Sequence, residues 1–197
     1  MKVIVSTLLA FTFLLTTVSA QSVTYTLSEI TEFKIVGDSN VRAWDGDITD
    51  ANATLILSEI EELSIDNLTP NVFSSLEIEI AVKGIESDPD RLTTNLHNYL
   101  KSDEHPNITF KLNEITNIET SGNEATITAD GVINAAGKDH NISMIVVATI
   151  HSDGTIQFTG KQDLLMTSFD IDPPTAVLGT VRARDEIEIL FDVTFAR

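Results

Sequence analysis

The chain has 197 residues, a formal net charge of −18 from 12 Lys and Arg against 30 Asp and Glu, and no cysteine. So acidic a surface repels nucleic acid and anionic membranes and excludes both as natural partners. Without disulfides or thiolates the fold must stand on burial alone, and the length suits one domain of ordinary size.

The first twenty residues, MKVIVSTLLAFTFLLTTVSA, place Lys2 before a long apolar run and end on the small residues Val18-Ser19-Ala20. That order predicts a secretory signal cut after Ala20, and hence an exported protein, periplasmic or secreted. Residues 21–197 then form a single domain, with no second stretch apolar and long enough to span a bilayer.

Strands dominate that domain. Val23, Tyr25 and Leu27 alternate with Thr24 and Thr26, and Phe33 and Ile35 alternate with Glu32 and Lys34. Leu76, Ile78, Ile80 and Val82 alternate with Glu77, Glu79 and Ala81. The helix that follows is predicted over about residues 88–101. Asp88 is its expected cap, Pro89 fits its first turn, and Leu92, Leu96, Tyr99 and Leu100 form one apolar stripe that must cover something apolar. Pro106 ends it. Ile108, Phe110 and Leu112 then resume the alternation, and Ser121-Gly122-Asn123, Gly137-Lys138-Asp139 and Ser152-Asp153-Gly154 read as successive hairpin turns. FDIDPPTAVLG, Phe169 to Gly179, carries two prolines and reads as a crossover or rim, with Ile171, Val177 and Leu178 as its apolar members. Ile187, Ile189, Phe191, Val193 and Phe195 make the longest alternating row. Strands with one dry and one wet face, joined by short turns, predict an antiparallel meander.

Several stretches, taken together, resemble the YceI-like, or polyisoprenoid-binding, secreted bacterial proteins. They are GDSNVRAWDGDI, LHNYLKSDEHPNITFKL, GVINAAGKDHNISMIV and TGKQDLLMTSFDIDPPTAVLGTVRARDEIEILFDVTF, in that order from about Phe33 onward. The resemblance implies an all-β fold: an extended eight-stranded antiparallel, lipocalin-like barrel, with the helix covering an opening or flank. It also implies a non-catalytic binder of an isoprenoid-like amphiphile without a cofactor. Two departures from the commoner pattern bear on polar contacts. SNVRAW stands where many relatives have a histidine, and Met166 stands where many have an arginine three residues before the late phenylalanine. The ligand-facing residues expected on this footing are Leu76, Ile78, Ile80, Phe110, Leu112, Met144, Phe158, Met166, Phe169 and Phe191. Arg182 and Arg184, with Lys161 or Arg42, are candidates for a headgroup contact, although their alternate spacing equally suits a solvated strand face.

No other chemistry assembles from the residues. His97 and His105 are too far apart, with a proline following, for the tight spacing of a zinc site. DGDITDAN, Asp45 to Asn52, is oxygen-rich but lacks the twelve-residue spacing and terminal Glu of a calcium loop. Carboxylates such as those of EIEELSID and SDPD fit a wet exterior. There is no nucleophile elbow, phosphate loop or dinucleotide fingerprint. Trp44 is expected in the core and Tyr99 at a rim or in the core. The leading expectation is a carrier or sequestering protein for a small hydrophobic, isoprenoid-like ligand. The alternative is a barrel filled by Phe110, Phe158, Phe191 and Phe195, acting through its outer surface as an envelope or interaction module. A hydrolase would need a polar cluster in the lumen and is the weakest reading.

Overall fold

The structure, a computed structural model, describes residues 22–58, 63–176 and 178–197. The expected export signal, residues 59–62 of the acidic stretch and Val177 lie outside the described residues. Among the described residues the strands are β1 (Val23–Ser39), β2 (Trp44–Ile48), β3 (Ala51–Leu57), β4 (Phe73–Ala81), β5 (Ile85–Glu86), β6 (Asn107–Ser121), β7 (Glu124–Ala135), β8 (Lys138–Ile150), β9 (Ile156–Leu165), β10 (Thr175–Ala176) and β11 (Val181–Ala196). One α-helix, α1 (Asp90–Tyr99), lies between β5 and β6.

Eight of these strands close on themselves. The ring runs β1-β3-β4-β6-β7-β8-β9-β11, and β11 returns to β1 with pairs from Thr26↔Ala196 to Ser39↔Ala183. Every pairing in the ring is antiparallel. Closure satisfies backbone groups that an open sheet would leave at its edges. The short strands extend one end: β2 takes over the edge of β1 beyond β3, β5 pairs with β2, and β10 pairs with the start of β11.

Alternation sets which side chains face in. On β8, Ile142, Val146 and Ala148 are buried, while Ile145 between them is 62% exposed. On β6 the apolar spacing breaks after Leu112, yet Ile115 and Ile118 still face the interior. Register shifts at Leu112/Glu114 and Ile115/Asn117 insert one residue each and restore the face. The same device lets β1 run unbroken from Val23 to Ser39, with shifts at Leu27/Glu29 and Ile30/Glu32 that bring Ile30 and Phe33 inward. The two separate alternating runs of the sequence are therefore one strand.

One hairpin turn and the helix cap differ from expectation. The β7–β8 hairpin turns on Ala136 and Gly137, both at positive φ (52° and 82°), with Ala135 paired to Lys138. Two left-handed residues match the twist of the flanking strands, so Lys138 and Asp139 belong to β8. The helix is capped by Pro89 without a side-chain hydrogen bond, so Asp88 does not cap it, and Leu100 closes its other end.

The barrel is packed at one end and hollow towards the other. At the packed end Tyr25, Leu55, Leu57, Ala125, Ala148 and Phe195 are at most 2% exposed. Two 3-10 turns, Ile65–Asn67 and Pro70–Val72, lay Ile65, Leu68 and Val72 against them. The described apolar residues of the acidic EIEELSID stretch belong to this plug, with Leu63 partly buried and Ile65 buried, while Asp66 is exposed. Arg197 finishes this end, with its Nε donating to the Tyr25 hydroxyl at 3.0 Å and its guanidinium 5.4 Å from the ring centre.

Candidate functional site: an apolar cavity with one mouth

Midway along the barrel the inward residues are not fully buried. Leu76, Ile78, Met144, Phe158, Ile187, Ile189 and Phe191 face the interior yet remain partly accessible. Inward side chains that still touch solvent-sized space must face a hollow. That hollow is a cavity of about 420 Å³, reaching from Leu55, Ile127 and Phe195 at the packed end to α1, Pro174, Thr175, Ala176, Val181 and Ala183 at the other. Only three of its lining residues are exposed, Arg91, Tyr99 and Thr175, and all lie at the helix end, which therefore holds the mouth.

The ten expected lumen residues all line this cavity. Leu76, Ile78 and Ile80 come from β4, Phe110 and Leu112 from β6, Met144 from β8, Phe158 from β9 and Phe191 from β11. Met166 and Phe169 come from the 3-10 turn that ends β9. Phe169 is fixed from outside by an edge-on contact with His140, their rings 5.5 Å apart.

The four phenylalanines expected to fill a solid barrel do not do so. Phe195 meets Phe158 edge-on at 5.5 Å and fills the packed end only. The Phe110 and Phe191 rings lie along the wall, because glycines make room there. A Cβ on Gly131 would stand 2.4 Å from the Phe110 ring, and one on Gly160 would stand 2.6 Å from the Phe191 ring. Trp44 lies over Gly37 in the same way, where a Cβ would come within 2.1 Å of the indole. An aromatic ring covering a glycine on a neighbouring strand replaces the missing side chain and keeps its bulk out of the lumen. These pairings, invisible to alternation alone, decide whether the barrel is hollow. Trp44 packs half-buried against the core and also lines the cavity wall, with its indole N–H donating to Asp38 O at 3.3 Å.

The helix forms one side of the mouth. Leu92, Leu96, Tyr99 and Leu100 all line the cavity, so the apolar stripe covers the opening. Gly46 on β2 lets it approach, since a Cβ there would meet Leu96 Cδ1 at 2.9 Å. Polar ties hold its outer side. Thr93 Oγ1 accepts from Ser87 N at 2.8 Å and donates to Ser87 O at 2.9 Å, and His97 Nε2 lies 2.9 Å from Ile85 O. The opposite side is the proline segment. Ile171, Pro174, Thr175 and Ala176 line the cavity, whereas Leu178 is fully exposed at the tip of the turn that leads into β11.

Arg182 and Arg184 are not among the lining residues. On β11, Val181 and Ala183 take the inward positions and the two arginines point out. Arg184 Nε pairs with Asp38 at 2.9 Å, and Arg182 Nε donates to Gly179 O at 2.9 Å. Lys161 is likewise outward, 2.6 Å from Glu188. The hydrogen-bonded Lys161 holds the Glu188 carboxyl below its ordinary pKa, and Glu188 raises that of the Lys161 ammonium. The charged side chain that does line the cavity is Arg91, with Asn95 one turn on; Thr109, Gln162 and Thr175 add further polar groups. Sequence reading missed Arg91, because one arginine in the first turn of a helix carries no pattern. Among the described residues that line the cavity there is no carboxylate, imidazole or serine. Elsewhere among the described residues no three His, Asp or Glu side chains converge to hold a metal ion. Asp45 and Asp47 of the oxygen-rich loop alternate along β2 as exposed residues. No helix among the described residues is long and apolar enough to cross a membrane.

Comparison with known proteins bears on the same arrangement. The family model described as the YceI-like domain matches residues 17–195. Among solved structures, BcnA of Burkholderia cenocepacia superposes with a TM-score of 0.60 at 17% identity, covering 82% of this chain and 95% of that one. A polyisoprenoid-binding domain from Saccharophagus degradans, implicated in plant cell wall breakdown, gives a TM-score of 0.66 at 9% identity over 87% of this chain and 97% of its own. The Campylobacter jejuni YceI protein gives 0.56 at 17% identity, with coverage of 77% and 84%. No curated protein matches.

Proposed function

The chain belongs to the YceI-like domain family, and on that footing we propose that its barrel binds and sequesters, or carries, one slender isoprenoid-like amphiphile without catalysing a reaction on it. The observation that carries this reading is the cavity: about 420 Å³, walled almost wholly by aliphatic and aromatic side chains, and open at one end. That volume lies at the lower end of the roughly 300–1,000 Å³ typical of small-molecule sites, which suits a single chain. Each buried CH₂ contributes about 0.8 kcal/mol, so an apolar tail is held without many polar contacts. The Saccharophagus domain of the same fold, a polyisoprenoid binder, supports the choice of tail. The absence of acid–base pairs on the wall supports a binding role over a hydrolytic one. The leader-like first twenty residues support locating this activity outside the inner membrane.

Native mass spectrometry of the protein purified from its own host tests the reading. The expected result is a copurifying lipid, or stoichiometric uptake of added prenyl alcohols by the emptied protein. Repeated isolation without lipid, together with no uptake of any prenyl compound, contradicts it.

A further inference from the structure

Among the described cations, Arg91 is the one that lines the cavity. Arg184 is paired with Asp38, Arg182 with Gly179 O, Arg197 with Tyr25 and Lys161 with Glu188. The Arg91 guanidinium, like the side chains of Arg42 and Lys101, has no hydrogen-bond or ion-pair partner among the described residues. It nevertheless lines the cavity, at the mouth, where the wall changes from apolar to wet. Asn95 follows four residues later on the same helix, so the two side chains sit one above the other on one face. Asn95 also lines the cavity and has no side-chain partner among the described residues. A guanidinium and an amide, both without side-chain partners among the described residues, therefore stand one helical turn apart at the mouth of an apolar wall.

From this we propose that Arg91, assisted by Asn95, is the headgroup contact of the site, and that the preferred ligand is an apolar chain ending in an anionic oxygen group, a carboxylate or a phosphate ester. The inference rests on the proposed binding function and adds to it the chemistry of the head. A guanidinium offers two parallel N–H donors that match such a group, and the charge-assisted bonds are about twice as strong as neutral ones. The net charge of −18 opposes anions at long range. Beyond about 8–10 Å this is largely screened at physiological salt, so the contact at Arg91 decides. A tail entering first towards Phe158 and Phe195 leaves the head at Arg91. This allocation also explains why the outward arginines of β11 are not needed for the head.

The test uses farnesol and farnesoic acid, which share one chain and differ in the head, titrated into the whole protein near pH 7.5. Trp44, the single tryptophan and a wall residue, reports occupancy by its fluorescence. Saturable farnesol binding tests the underlying function; the ratio of acid to alcohol affinity tests the inference. The expected wild-type ratio favours the acid roughly tenfold, as for a hydrogen bond to a charged group. Arg91→Ala brings the ratio to about one and Arg91→Lys restores part of it, while Arg42→Ala, outside the cavity wall, keeps the wild-type ratio. Farnesol binding with no preference for the acid, or an equal loss of the ratio in Arg42→Ala, overturns the headgroup assignment and leaves the binding function standing. Failure to bind either compound overturns both.

Discussion

The two ends of this barrel are made from the same strands and the same kinds of residue, yet one is solid and the other hollow. At the solid end, large side chains from successive strands meet across the axis, and Leu63, Ile65, Leu68 and Val72 cover them from below. At the hollow end, rings lie over Gly37, Gly131 and Gly160 along the wall, and a half-buried helix stands in place of a plug. Composition does not distinguish them. The difference lies in whether a bulky residue faces another bulky residue or a glycine. Burial of the first kind stabilises; the second kind gives up packing to keep a space. Stability is therefore concentrated at the packed end and ligand chemistry at the open one.

The largest effect should come from the packed end. Phe195→Ala removes a fully buried ring and its contact with Phe158, and should cost about 3–5 kcal/mol, read from urea midpoints at unchanged m-value. A loss below about 1 kcal/mol would mean that this end tolerates a void and is not the stabilising half.

Gly160→Ala and Gly131→Ala cut across the comparison. Each new methyl collides with a ring, Phe191 or Phe110, and relief comes by swinging the ring into the lumen. The expected cost is about 1–3 kcal/mol, accompanied by a greater loss of farnesol capacity than Phe195→Ala shows when both are measured below their unfolding midpoints. If capacity is unchanged, the rings do not define the hollow.

Smaller still is the effect of Leu96→Ala at the mouth. This side chain is half-buried and faces the cavity, so the expected destabilisation is only about 1 kcal/mol. Its main consequence should be faster ligand dissociation, seen in stopped-flow Trp44 fluorescence, because α1 then covers the opening less completely.

The smallest effect belongs to the outer wall. Glu188, with its pKa depressed by Lys161, contributes stability above its unfolded pKa, and this is lost as pH falls through the lower folded value. Lys161, with its pKa raised, contributes below the unfolded value of 10.5 and loses this as pH rises through the folded value. The pair therefore acts across the neutral window and fades at both extremes. Glu188→Gln should flatten the acid limb of the stability profile slightly, without altering farnesol affinity. Any change in affinity would place this pair in the site.

Much of the fold was legible because a strand with one wet face repeats every second residue, and β8, β11 and, from Leu76 onward, β4 keep that period. β1 and β6 do not: their bulges shift the period by one, so the sequence shows fragments where the barrel has a single strand. The β7–β8 turn was misplaced by one because Ala136 adopts a left-handed conformation that usually falls to Gly or Asn. The plug escaped notice because Ile65 and Leu68 sit among carboxylates. The apolar wall of the site followed from alternation and resemblance, as Leu76, Ile78 and Phe110 show. Its polar end did not, since Arg182 and Arg184 draw attention as a pair but face outward, whereas Arg91 acquires meaning only when α1 is laid across the mouth.

The most direct measurement is the anomalous signal of bromine in crystals soaked with 12-bromododecanol. The account predicts one bromine site inside the barrel, beside Phe158 and Leu55, with the hydroxyl end directed towards Arg91. Bromine found only on the outer surface, or no ordered site with the cavity left empty at saturating ligand, would contradict it.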